Sequence, residues 1–99
     1  MYFITTIRII DGQIDDQRPV GYFDTAEKAA LRVENNVCDI FEDGYYQYAV
    51  IVEIFDGLYP AQREIQWYAF NKDTRLGYKI ERPELKDTNG QDFRPYILG

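Results

Sequence analysis

A chain of 99 residues, 45% hydrophobic and 28% charged, has the size and balance of one folded domain with its own core. It contains no histidine, no serine and a single cysteine, Cys38, which excludes Ser-His-Asp and Cys-His nucleophile arrangements, His/Cys zinc sites and an internal disulfide framework. A net charge of -6 makes duplex DNA and anionic membrane surfaces poor partners, because both reward a basic patch.

The segment "YFITTIRII" (2–10) is rich in β-branched and aromatic residues and reads as a strand. Arg8 reads as strand-central, among Tyr2, Ile4, Thr6 and Ile10 on a half-apolar face, where an arginine calls for an ion pair or a bound anion. The polar stretch "DGQIDDQRP" (11–19) reads as a long acidic loop leading to a short strand, "VGYF" (20–23). In "DTAEKAALRVENN" Asp24 is the expected N-cap and Glu27 completes a capping box. Ala26, Ala29, Ala30, Val33 and Val37 make one stripe at helical spacing, and Leu31 falls off it. Asn35 and Asn36 are suited to ending the helix, since Asn tolerates the left-handed conformation.

After "CDIFEDG" (38–44), in which Cys38 reads as an ordinary buried thiol, a long strand is expected over 45–55. Tyr46, Tyr48, Val50, Val52 and Ile54 alternate onto one face, read as core; Tyr45, Gln47, Ala49, Ile51, Glu53 and Phe55 share the other, expected to lie away from the helix. "FDGLYP" (55–60) is a turn, "REIQWYAF" (63–70) a strand, "NKDTR" a turn and "LGYKIE" (76–81) a last strand, stopped by Pro83. The polar loop 85–92 ends in an apolar tail, Phe93, Tyr96, Ile97 and Leu98, expected to pack back.

The order β-β-α-β-β-β implies an α+β domain spanning residues 1–99, a curved antiparallel sheet of about five strands with one helix on one face. One helix leaves a sheet face to be covered by the returning tail, by a second subunit in a homodimer or higher oligomer, or by a ligand. The apolar runs are all shorter than the roughly 20 residues that span a bilayer. "MYFITTIRIIDG" has no basic segment followed by a long apolar core, so the expected location is the cytoplasm.

The residues that remain for chemistry are carboxylates, tyrosines, lysines, arginines and Cys38. Arg8 and Arg63 as charge, with Tyr45 and Tyr68 as flat faces, form a candidate surface for stacking a ring and holding a phosphate. The competing reading pairs Arg8 with a cross-strand carboxylate, Glu53 or Glu64. The acids Asp11, Asp15, Asp16, Asp39, Glu42, Asp43 and Asp56 gather in turns without EF-hand spacing and read as solvated. No catalytic residue, metal ligand or cofactor is assigned.

Taken together, "MYFITTIRIID", "VGYFDTAEKA", "ENNVCDIFEDGYYQYAVIVEIFDGLYP" and "IQWYAFN" resemble a family of small uncharacterised proteins found in anaerobic bacteria and in their phages and prophages. The resemblance covers roughly residues 1 to 83. It implies a compact protein carried on mobile elements and, by context, a counter-defence binder. Such a binder is either an inhibitor of a host defence protein, of the anti-CRISPR kind, or a sponge for a nucleotide immune messenger. The alternatives are a small carboxylate-dependent enzyme, such as a nucleotide-messenger hydrolase, and a structural or assembly accessory.

Overall fold

The computed structural model describes residues 1–55 and 62–84. Strands β1 (Tyr2–Ile10) and β2 (Gln13–Phe23) form a hairpin closed by Asp11 and Gly12, at φ +53° and +77°. Two left-handed residues are what a two-residue hairpin turn requires, and Asp-Gly adopts them readily. The expected loop over 11–19 is therefore mostly strand. Pairing with β1 satisfies backbone groups that a loop would leave to water, and Pro19 is tolerated because β2 lies at the sheet edge beside a register shift at Ile4/Thr5.

Helix α1 (Ala26–Glu34) begins one residue later than Asp24 suggested. Thr25 is the N-cap, its Oγ1 accepting from the Lys28 amide at 3.2 Å, while Asp24 instead forms an ion pair with the Lys28 ammonium at 2.9 Å. Ala29 and Val33 are buried and Leu31 is exposed, as the stripe predicts. Asn36 takes the left-handed conformation after the helix, at φ +47°. Two tight turns, Val37–Asp39 and Glu42–Gly44, then carry the chain to β3 (Tyr48–Ile54). Left-handed residues run through this connection at Cys38, Asp39, Glu42, Asp43 and Gly44, so Tyr45 and Tyr46 leave the strand that was expected to begin there. β4 (Gln62–Phe70) and β5 (Gly77–Ile80) are joined by a turn whose Asn71 side chain accepts from the amides of Asp73 and Thr74.

The sheet is open, five-stranded and antiparallel throughout, in the order β2-β1-β3-β4-β5, with one helix packed on it. The helix covers Ile4, Ala49, Ile51, Tyr68 and Phe70, which corrects the expected choice of face: Ala49 and Ile51 lie under α1, and Val50 and Val52 point away. Alanine on both sides, Ala29 above and Ala49 below, lets helix and sheet approach closely. Ile7, Val50, Val52 and Trp67 form a second buried cluster on the other face, flanked by Ile9, Ile14, Tyr48 and Ile80. The expected turn at 56–60 and the expected return of the tail over 85–99 lie outside the described residues. Among the described residues no helix is long and apolar enough to cross a membrane.

Candidate functional site

The β1–β2 hairpin carries a second register shift, between Arg8 and Ile9, where Asp15 is the extra residue on β2. Asp15 and Asp16 both come to stand opposite Arg8 as a result. The Arg8 Nε donates to Asp15 Oδ2 at 3.1 Å and its Nη1 donates to the Tyr45 carbonyl at 3.0 Å. The guanidinium carbon lies 4.1 Å from the centroid of the Tyr45 ring, a cation–π contact. The hydroxyls of Tyr45 and Tyr46 both donate to Asp16 Oδ2, at 3.3 and 3.2 Å, and the two rings meet edge to face with centroids 4.8 Å apart. Gln47 ties this cluster to the sheet: its Oε1 accepts from the Ile9 amide and its own amide donates to the Ile7 carbonyl.

Of the four residues singled out from the sequence, Arg8 and Tyr45 are thus brought into contact. Arg63 lies in a different register, its Nη2 donating to Glu53 Oε1 at 2.7 Å beside the Phe55 ring. Tyr68 is 1% exposed beneath the helix, its hydroxyl donating to Glu34 at 3.2 Å. The four therefore do not share a pocket. Arg8 does take a cross-strand carboxylate, but the partner is Asp15 rather than Glu53 or Glu64. Glu53 is held by Arg63, which faces it across β3–β4, and Glu64 accepts from the Trp67 indole at 2.6 Å and from Arg82 at 3.0 Å. Sequence reasoning missed Tyr46 and Gln47 as parts of the cluster, since both had been placed on a strand.

Three further turn acids are engaged individually, and Asp56 lies outside the described residues. Glu42 pairs with Arg18 at 3.3 Å, Asp43 with Arg75 at 2.6 Å, and Asp39 accepts from the Asn36 side chain at 3.1 Å. Among the described residues no group of three or more His, Cys, Asp or Glu is placed to hold a metal. Cys38 is exposed rather than buried, because the left-handed turn at Asn36 and Cys38 directs Ile40 toward the core and the thiol outward.

Burial, reinforced by the Asp16 charge, raises the Tyr45 phenol above its ordinary value, with Arg8 opposing. The same causes push Tyr46 up to about 12, and burial with the Glu34 charge pushes Tyr68 up to about 12. In the unfolded chain these phenols ionise near the ordinary 10.0. Their contribution to stability is therefore complete below that value and is lost as pH rises through the folded value. Urea midpoints should accordingly be flat up to about pH 9.5 and fall between about pH 10 and 12. An ultraviolet titration in which every tyrosine ionises near the ordinary value would contradict the buried placement of these two rings.

Comparison with protein-family models, with curated proteins and with solved structures found no match. The chemistry of the site must be read from its own geometry. Arg8 is satisfied from within, so an incoming anion would have to displace Asp15. The group offered outward is the Tyr45 ring, 40% exposed, held by Arg8 on its face, Tyr46 at its edge and Asp16 at its tip. It is an aromatic side chain with little freedom left to lose.

Proposed function

We propose that the protein is a non-enzymatic binding module that acts by occupancy, as a counter-defence inhibitor of a host defence protein. The observation that carries this reading is the immobilised, exposed Tyr45 ring beside the carboxylates of Asp15 and Asp16. Rigid aromatic anchors make effective interface centres because their ordering entropy is spent before binding, and the chain's net charge of -6 favours a basic surface on the partner. The counter-defence setting, in the cytoplasm of the host cell, is supported by the family resemblance described above. Inhibition of a protein is favoured over nucleotide sequestration at Arg8, Tyr45, Arg63 and Tyr68 because Arg63 and Tyr68 lie apart from the Arg8–Tyr45 pair and Arg8 is already held by Asp15.

Titrating a purified target defence protein with this chain tests the proposal. An occupancy inhibitor gives an end point at stoichiometric addition, and its affinity falls as salt rises. Tyr45→Ala should weaken inhibition by about thirtyfold, the effect of losing an interface hot spot. Complete inactivation at a small fraction of stoichiometry would instead indicate turnover and overturn the assignment.

A further inference from the structure

A cavity of about 420 Å³ opens at the end of the sheet between the Glu42–Gly44 turn and the β4–β5 turn. Phe41 and Phe70 supply its apolar wall; Lys72, Arg75 and Asp43 supply its charges. Phe41 and Phe70 are buried, with ring centroids 5.0 Å apart, so the wall belongs to the core and is firm. The β4–β5 turn that carries Lys72 and Arg75 is held at its backbone. Arg75 donates its amide to the Asn71 carbonyl at 2.7 Å, and the Asn71 side chain holds the intervening turn. Cavities of roughly 300–1,000 Å³ with an apolar wall and a few polar groups are the usual form of small-molecule sites.

The charges indicate what such a site would take. The chain as a whole is strongly acidic, at -6, yet here two cations face one carboxylate. Asp43 is bound to Arg75 at 2.6 Å, but both side chains are well exposed, at 76% and 55%, and an exposed pair of this kind is worth little. An anionic group can replace Asp43 on Arg75 at small cost, with Lys72 beside it. Lys72 has no ion-pair partner among the described residues.

We infer that this cavity binds a small anion carrying one flat ring system, of the nucleoside monophosphate class, with the ring against Phe41 and Phe70 and the phosphate between Lys72 and Arg75. The site is separate from the Tyr45 anchor, and either can fail without the other. The probe is adenosine 5′-monophosphate, followed by calorimetry, with adenosine and inorganic phosphate as controls. Saturable binding of the nucleotide is expected, with each control at least about tenfold weaker because each engages only half of the site. Lys72→Ala and Arg75→Ala should each weaken binding about tenfold, and Asp43→Asn should strengthen it, with urea midpoints unchanged. Tyr45→Ala should leave it intact. The inference fails if the nucleotide shows no saturable binding, if phosphate alone binds as well, or if both cation variants bind as the parent does.

Discussion

Replacing Gly77 by valine is expected to cost a large share of the protein's stability. A Cβ built on Gly77 would lie 2.6 Å from the Val33 carbonyl oxygen, 2.9 Å from Val33 Cγ1 and 3.1 Å from the Val33 carbonyl carbon. Two of those three atoms are helix backbone, which cannot rotate aside as a side-chain tip can. Relief would require moving the C-terminal turn of α1 off β5, and with it Val33, which is fully buried. Overpacking of this kind costs about 1–3 kcal/mol for a single added group and more for a branched one, against a total stability of about 5–15 kcal/mol for a domain. Gly77→Ala is the graded arm, expected to lower stability by about 2–3 kcal/mol in urea denaturation. An unchanged midpoint for Gly77→Ala would mean that the helix end does not rest on β5.

The contrast with Gly44 separates space from conformation. Gly44 sits at φ +95° with open surroundings, the nearest atom to a built Cβ being Phe41 Cζ at 3.8 Å. An alanine there meets a backbone penalty and no clash, about 1–2 kcal/mol for a residue forced into the left-handed region. Gly77 has no such backbone demand, so its requirement for glycine is set by the neighbouring helix.

These two glycines also mark how far a sequence carries structural information here. β1, β4 and β5 could be read because β-branched and aromatic runs are separated by Asp-Gly, Pro and Asn signals, and the helix because its alanine stripe is uninterrupted; the polar first half of β2 could not. The covered face could not be read from alternation, since Val50 and Val52 are as apolar as Ile51, and both sides of the sheet are in fact buried. The distinguishing signal was size. Ala49 is the small residue that an alanine-faced helix can approach, and it lies on the Ile51 side.

The site was legible in type and obscure in placement. Arg8 and a tyrosine face were expected to meet, and Arg8 and Tyr45 do. What brings the acids to them is one extra residue in β2 at Asp15, and a bulge leaves no mark in composition or periodicity. Tyr45 reaches Arg8 because the preceding connection turns through left-handed residues at Cys38, Asp39, Glu42 and Asp43, none of which is glycine. Local preference argues against that path, so tertiary contacts must impose it. Phe41 is buried against Phe70, and its carbonyl accepts from the Tyr46 amide.

Tyr68 offers the second large effect, and it separates a structural residue from a ligand-binding one. The ring is enclosed between helix and sheet and its hydroxyl reaches Glu34 on the helix. Tyr68→Ala would open a cavity under α1 and is expected to cost about 3–5 kcal/mol, as truncation of a buried aromatic does. Tyr68→Phe keeps the ring and loses one hydrogen bond to a charged group, an expected cost of about 1.5–3 kcal/mol at the most. Glu34 is only half-buried and can turn toward water, which places the change near the lower end. The phenylalanine variant should also lose part of the alkaline destabilisation, because the phenol pushed up to about 12 is gone. The two readings of Tyr68 then diverge sharply. Were the ring a surface for ligand, alanine would spare the urea midpoint and abolish uptake. Buried as it is, alanine should collapse the midpoint, whereas phenylalanine should preserve binding of both the protein target and adenosine 5′-monophosphate.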